Sequence, residues 1–472
     1  MQVTLPSHVP VLDRRWLHRL LAECQQQARQ TQHSQIASIA VPLPHLDPLA
    51  VLAQLHHPDS VHFYWESQHQ LQAIAAGGAV AQYRAGQGNR FAEARRFIRT
   101  TLANSRTEGY LDLPRAGIHF LGGFTFFPEA EAAGHFPAAT LFVPRWMVAR
   151  HAEGCVATLS TSIDEQSNLA AEIAGLAALE RSLQGLAATQ WPESYSIPAP
   201  LQLQQTPSTD EFRAAVTGAL EAIATGELRK IVLARAVDLI ALQPLNPFQS
   251  LGNLRQLYPN CYVFSLGNGS GQQFMGASPE ALMHVHQHRL AIDAIAGSAA
   301  RGATPETDRH LADALLNSSK DRLEHRVVVD AIVQQLGQLG ISAAAAASPS
   351  LLQLPNIQHL HTRICAQLPA QLHPFKVLAT LHPTPAVAGV PRPLACDRIR
   401  QWESFERGLY AAPLGWIDGA GNCELAVAIR SALVDGDRVR LCAGAGIVAG
   451  SDPEREWAEV QLKLQALVRA LV

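Results

Sequence analysis

The sequence is poor in charge. Lysine, arginine, aspartate and glutamate make up 16% of its 472 residues, and the formal net charge is −3. It contains no basic block, which argues against a nucleic-acid partner. Cysteine is sparse too. Cys24, Cys155, Cys261, Cys365, Cys396, Cys423 and Cys442 are scattered, odd in number and without a C-x-x-C pair. They read as reduced packing thiols, not as a disulfide framework or a zinc site. No run of about 18 uninterrupted apolar residues occurs, so no segment is expected to span a membrane. The opening MQVTLPSHVPVLDRRW lacks a long apolar core and does not read as a signal peptide. A soluble cytoplasmic protein is the expectation. Hydrophobic residues, by contrast, reach 47%, which supports a substantial core and excludes wholesale disorder.

The length suits two or three ordinary domains, or one large one. Residues 60–67 (SVHFYWES) and 139–150 (ATLFVPRWMVAR) look like strands. Residues 117–128 suggest strands around a tight Gly-Gly, and 169–186 have helical periodicity. Residues 190–210, rich in Pro and Ser, read as a connector. It divides an N-terminal half, residues 1–200, from a second part, 205–472. That part opens on a helix signal: Ser208 and Glu211 have capping-box spacing, and Gly226 ends the helical pattern. A strand from Lys230, further strand-like runs up to 297, a helix over 323–340, and a strand-strand-helix ending over 424–470 come after it. Residues 342–350 (SAAAAASPS) read as a surface loop. Strands and helices come in blocks rather than in strict alternation, which predicts an α+β fold with mainly antiparallel sheets.

Several residues are chemically conspicuous. Lys230 stands at the mouth of an apolar strand (KIVLARAVDL), where an ammonium is either solvated or offset by a partner. Glu324 shares a helix face with Val327, Val328 and Ala331, so it is either paired or a ligand. In the last helix, Glu456, Glu459 and Lys463 fall on one stripe. That helix follows Gly444-Ala445-Gly446, a glycine-rich loop whose backbone can approach an anion closely. Ser451 and Glu454 have capping-box spacing at its start. Two carboxylates from separate helices suit Mg²⁺, and the lack of a His/Cys cluster disfavours zinc. Glu280 follows Ser-Pro at a strand end, as an exposed turn acid or a general acid in a cleft. His359 and His361 lie on one side of the chain if it is extended. Arg430, inside an apolar strand, wants a carboxylate or phosphate, whether structural or ligand.

Taken singly, none of these is decisive. Their order is. KIVLAR, GASPE, AIAGSAARG, HLHT, LHPTPAVAGVPR, ERGLYAAPLGW, AVAIRS and AGAGIVAGSDPEREWAE, with Lys463, run through residues 208–472 as in the chorismate-binding enzymes, which this half closely resembles. The N-terminal half is similar more loosely, in FYWES and FPAATLFVPRW. Lys230 occupies a place where the aminating members resemble one another in having glutamine. With LHPTPAV, it implies the isochorismate branch. Ala296 stands where common aminodeoxychorismate synthases carry a nucleophilic lysine. One departure is Ser298-Ala299-Ala300 in place of the usual Thr-Arg-Pro, which keeps a hydroxyl but loses the Arg and Pro.

The resemblance implies one large α+β unit of two packed, mainly antiparallel sheets with flanking helices, like the anthranilate synthase large subunit. It implies isomerisation of chorismate to isochorismate, at the head of menaquinone, phylloquinone, siderophore or salicylate routes. Lys230 would be the base that activates water, and Glu280 the acid that protonates the leaving hydroxyl. Mg²⁺ would sit on Glu324 and Glu459, with Glu456 as an additional or water-mediated ligand. Tyr410, Arg430 and the amides of Gly444, Ala445 and Gly446 would hold a substrate carboxylate, and Gly297, Ser298, His359 and Lys463 would complete the site. No glutamine amidotransferase subunit is expected of a monomer or homodimer that uses water. Salicylate synthase and a catalytically silent chorismate binder are the alternatives.

Overall fold

A computed structural model describes residues 12–67, 70–85, 88–129, 135–152, 154–186, 191, 200–205 and 209–471. Alternating and continuous apolar runs form strands, and nearly all of these pair antiparallel. Among the described residues the one parallel pair joins Gln35–Leu43 to Ser105–Gly109. Among the described residues, twenty-one strands are linked in a single hydrogen-bonded network. The two sheets expected from the sequence are thus parts of one large curled sheet with helices packed on it. The N- and C-terminal halves share this sheet. Val61–Ser67 pairs with Tyr262–Asn268, and His119–Phe124 with Pro413–Asp418.

Lys230 opens the strand Lys230–Ala241. The β-branched and apolar residues of this strand are buried nearly throughout, as suits a strand covered on both faces. It pairs along its whole length with Arg438–Ile447, while Gly389–Val390 and Leu201–Gln205 take its other edge. The connector over 190–210 therefore contributes a strand where it is described. Ser208, half of the expected capping box, lies outside the described residues.

Two helices bring carboxylates to this strand pair. Ser319–Gly337 starts at Ser318, whose side chain accepts from the Asp321 N–H, and packs Val328, Ile332 and Leu336 inward. Pro453–Val468 buries Val460, Leu464 and Leu467, an i, i+4, i+7 stripe. Its cap is Asp452, which accepts from the Arg455 N–H, and not Ser451 as the spacing suggested. The Ser451 hydroxyl serves the Val448 N–H instead. Residues 342–350 also depart from expectation. Ala343–Ala345 and a strand beginning at Ser350 both pair with Ile357–Gln367, because that long strand offers an edge with backbone groups to satisfy.

All seven cysteines are free, and only Cys365 is exposed. No helix among the described residues is long and apolar enough to cross a membrane.

Candidate active site

Lys230 does not sit at a solvated strand mouth. It is 0% exposed, and its Nζ lies 2.8 Å from Glu324 Oε1. A buried ammonium is tolerable only with such a partner. The approach depends on Gly446. A Cβ there would lie 2.0 Å from Glu324 Oε1 and 3.1 Å from Lys230 Nζ, so glycine is the residue that leaves room for the pair. Glu324 is the inward-facing acid of its helix, and burial of Val327, Val328 and Ala331 beside it confirms the apolar face.

Gly444, Ala445 and Gly446 are strand, not loop. Val232 donates its N–H to Ala388 O at 2.7 Å, and Ala234 to Glu403 Oε1 at 2.8 Å. Both residues therefore turn their backbone groups away from Arg438–Ile447. Their cross-strand neighbours, Gly446 and Gly444, do the same toward the opposite edge, by the alternation of an antiparallel ladder. Among the described residues that edge carries a strand only as far as Cys442. The amides of Gly444 and Gly446 thus face the cavity, whereas Ala445 spends its own on the ladder. Ala445 is the one member of the triplet that does not line the cavity.

The cavity is lined by Glu280, Gly297, Ser298, Glu324, His359, Tyr410, Arg430, Gly444, Gly446, Glu459 and Lys463. A larger cavity of about 870 Å³ adjoins it and shares Tyr410 and Cys442 as a wall. Burial pushes the Tyr410 phenol well up, so it remains a neutral hydrogen-bonding group. Gly297 has φ +77, and a Cβ there would meet the Asp321 Cβ at 3.0 Å, so both conformation and space require glycine.

A hydrogen-bonded chain crosses the cavity wall. Arg430 Nη2 lies 2.9 Å from His359 Nε2. Guanidinium only donates, so Nε2 accepts and the ring hydrogen is on Nδ1. Nδ1 then donates to Ser298 Oγ at 3.0 Å, and the Ser298 hydroxyl helps to lower the Glu459 carboxyl. Burial, reinforced by Arg430 and Lys463, holds the His359 pKa well below its ordinary value, so the neutral ring is the operating form. Arg430 is buried with a left-handed φ of 51, and its Nη1 has no partner among the described residues. A strained, buried cation with a free nitrogen facing a cavity is a receptor for an anion.

On the opposite side, Lys463 Nζ bonds Glu459 Oε1 at 2.6 Å and Gly444 O at 2.9 Å. Burial raises the Glu459 carboxyl, but Lys463, Lys320 and Ser298 outweigh it and hold it below the ordinary range. Glu456 is placed differently from the expectation. It lies outside the cavity lining and bonds Lys320 Nζ at 2.8 Å. Burial and the Glu459 charge push its carboxyl up against the pull of Lys320. Asp321 is likewise raised, by burial first and by Glu324 and Glu459 after that. Sequence reasoning missed Lys320 and Asp321. Their signal was helical spacing: both stand one turn before Glu324, on its side.

Among the described residues no group of three His, Cys, Asp or Glu converges closely enough to hold a metal by itself. The donors facing the cavity are nonetheless carboxylate oxygens on two helices, in a crowd of like charge. That chemistry fits a hard divalent cation and not a soft one.

Glu280 occupies the turn between Gln272–Ser278 and Ala281–His286. Ser278 fixes it: its hydroxyl donates to Val427 O at 2.6 Å and accepts from the Glu280 N–H at 3.2 Å. Burial pushes the carboxyl up to about 8, Asp293 adds to the rise, and Lys230 and Lys463 oppose it. At neutral pH Glu280 therefore holds a proton, while facing the same cavity as Lys230's partner.

A protonated glutamate, carboxylates from two helices and an unsatisfied arginine line one cavity, and Lys230 stands behind that lining on Glu324; the set suits an enzyme acting on a small polycarboxylate. The family model described as "Chorismate binding enzyme" matches residues 21–472, and the chain belongs to that family. It is 36% identical to the salicylate biosynthesis isochorismate synthase of Pseudomonas aeruginosa, over 90% of this chain and 88% of that one. It is 32% identical to the isochorismate synthase MenF of Bacillus subtilis, over 94% and 95%. The solved structure of the menaquinone-specific isochorismate synthase MenF of Escherichia coli superposes with a TM-score of 0.75 at 29% identity, covering 95% of this chain and 99% of that one. Anthranilate synthase component I of Streptococcus pneumoniae shares the fold, with a TM-score of 0.67 over 86% of this chain and 93% of that one, at 23% identity.

Proposed function

We propose that Lys230 and Glu280 are the proton-transfer pair of a chorismate hydroxymutase. The chain is an isomerase that forms isochorismate from chorismate. The observation that carries the assignment is a glutamate that keeps its proton at neutral pH on the cavity that Glu324, the partner of the buried Lys230 amine, also lines. In this reading Lys230 takes a proton from the water that adds at C2. Glu280 gives its proton to the C4 hydroxyl, which leaves as water while the ring double bonds shift. Lys230 Nζ is committed to Glu324 at 2.8 Å, so it is free to meet a water only when Glu324 is engaged elsewhere. Mg²⁺ would be held by Glu324 and Glu459, with Glu456 and Lys320 behind them. When bound it supplies positive charge for the ring carboxylate. Arg430, Tyr410 and the amides of Gly444 and Gly446 face the enolpyruvyl carboxylate. His359 and Ser298 orient Arg430 and Glu459 on opposite walls. Because water replaces ammonia as nucleophile, no glutamine amidotransferase subunit is required of a monomer or homodimer. Free, mostly buried thiols accord with a cytoplasmic setting.

The test is incubation with chorismate and Mg²⁺ and separation of the products. Isochorismate as the main product supports the reading. Salicylate released with pyruvate would move the chain to the salicylate synthases, and binding without turnover would make it a silent relative.

Two variants probe the geometry. Gly446→Ala is expected to lower kcat at least ~10-fold, because the added methyl displaces the Glu324 carboxylate and Lys230 from each other. The strand backbone itself accepts alanine, but displacing the buried pair costs stability, so the melting temperature should fall together with the rate. Arg430→Lys keeps a charge but not the planar fork. It should raise KM for chorismate by roughly 10-fold or more, with the smaller effect on kcat, as steady-state kinetics would resolve.

A further inference from the structure

The second histidine of the extended pair has no part in this proton transfer. His361 turns to a different carboxylate. Its Nε2 lies 2.9 Å from Asp293 Oδ1, and Arg363 Nη1 reaches the same oxygen at 2.6 Å. The antiparallel register of Arg289–Ala300 with Ile357–Gln367 puts Arg363 directly opposite Asp293 and His361 two residues along, on the same face. The second carboxylate oxygen, Oδ2, accepts from the Ala281 N–H at 3.2 Å. Ala281 is the residue immediately after Glu280. Asp293 is thus a buried carboxylate fastened on one side to two donors and on the other to the backbone that carries Glu280.

We infer that Asp293 is a positioning residue, which fixes the Glu280 turn through the Ala281 amide and, by its permanent negative charge, keeps the Glu280 carboxyl supplied with the proton that the leaving hydroxyl needs. The inference rests on the reading of Glu280 as the general acid. Its electrostatics are consistent throughout. Burial drives the Asp293 carboxyl up, but His361 and Arg363 outweigh burial and hold it below the ordinary range. Asp293 therefore carries its charge at neutral pH. The charged and titratable groups facing Glu280 are Asp293, which favours its acid form, and Lys230 and Lys463, which oppose it. Those facing Asp293 are His361, Arg363 and the Tyr262 phenol. A like charge beside an acid favours its protonated form, and here the like charge cannot be neutralised by taking up a proton itself. His361 and Arg363 gain a role for the same reason: they maintain the charge and never meet the substrate.

The experiment is the pH profile of kcat/KM for the wild type, Asp293→Asn, Arg363→Gln and Glu280→Gln, with chorismate binding and thermal unfolding measured on each. Asparagine can keep an oxygen for the Ala281 amide while removing the charge, and its NH2 then faces the Arg363 and His361 donors, which the unfolding measurement monitors. The alkaline limb of Asp293→Asn is expected to move about one pH unit toward acid, so that its deficit against wild type grows as pH rises. In Arg363→Gln, Asp293 keeps His361 and the Ala281 amide, and the limb should stay in place or move toward alkali. An unmoved limb in Asp293→Asn overturns the inference. A shift toward acid in both variants overturns it as well, since that pattern reports loosened packing instead of lost charge. Should Asp293→Asn fail to fold, Arg363→Gln decides: a limb in place or moved toward alkali supports the inference, and a limb moved toward acid overturns it. The underlying assignment fails separately, if Glu280→Gln keeps wild-type turnover and an unchanged limb.

Discussion

Alanine at position 230 is expected to cut isochorismate formation by about 10³-fold, the range of a lost general base, while chorismate still binds. The contacts proposed for the substrate carboxylates come from Arg430, Tyr410 and the Gly444 and Gly446 amides, and none of them involves Lys230. The binding constant should therefore change far less than kcat. The variant has a second, structural consequence that must be separated from the first. Lys230 is fully buried against Glu324 at 2.8 Å, so its removal leaves a buried carboxylate without its partner. Breaking such a pair costs on the order of 3–5 kcal/mol, and the melting temperature should fall. Chemical rescue distinguishes the two losses. A small primary amine that enters the space vacated by the side chain should restore part of the rate in proportion to its free-base concentration. A protein merely weakened by an unpaired Glu324 gains no rate from an amine. Undiminished turnover in Lys230→Ala would remove the lysine from the mechanism.

Much of the site was legible in the sequence, but through the order of its motifs and not through periodicity. Lys230, read from local pattern alone, is a strand-end charge. Its partner lies 94 positions away, on a helix whose docking no local rule foretells. The glycine triplet shows the opposite failure. Glycines before a helix suggest an anion-binding loop, yet Gly444 and Gly446 belong to a strand. Their lack of a side chain answers to what lies against them, the Leu233 carbonyl, Ala234 and the Tyr410 hydroxyl in one case and the Lys230–Glu324 pair in the other. Only the alternation of the ladder, which is a property of two strands together, tells which of the amides are available. Glu456 shares a stripe with Glu459, as the spacing says, but its carboxylate meets Lys320 and does not line the cavity. A helix stripe is wide enough for one acid to reach the cavity and for the next to meet Lys320 behind it. The antiparallel α+β class followed safely from blocks of strands and helices. That the strands of both halves close into one sheet did not, since cross-half pairs such as Val61–Ser67 with Tyr262–Asn268 leave no trace in either segment.

Glutamine at position 280 should remove most of the turnover, again by about 10³-fold, and its pH behaviour makes the assignment decisive. In the wild type the Glu280 carboxyl titrates at about 8, so kcat/KM should fall as pH rises through that value and the proton donor is lost. Glutamine cannot titrate, and the residual rate of Glu280→Gln should show no decline there. The same shift has a stability consequence of known sign. The folded protein holds the Glu280 proton from the ordinary carboxylate range up to about 8, while the unfolded chain releases it near its unperturbed value. Over that window the folded state binds more protons, so its stability declines as pH rises. The decline is complete above about 8, where a buried carboxylate must be carried as an anion. Glu280→Gln escapes this penalty. Its melting temperature should therefore exceed that of the wild type at alkaline pH and approach it below about pH 5, where both carry a neutral side chain. An enzyme that gains stability at alkaline pH while losing its catalytic rate is the signature of a carboxyl held in its acid form for function. A variant with wild-type turnover, or with no alkaline gain in melting temperature, would show that the proton on Glu280 is not what the cavity is built to keep.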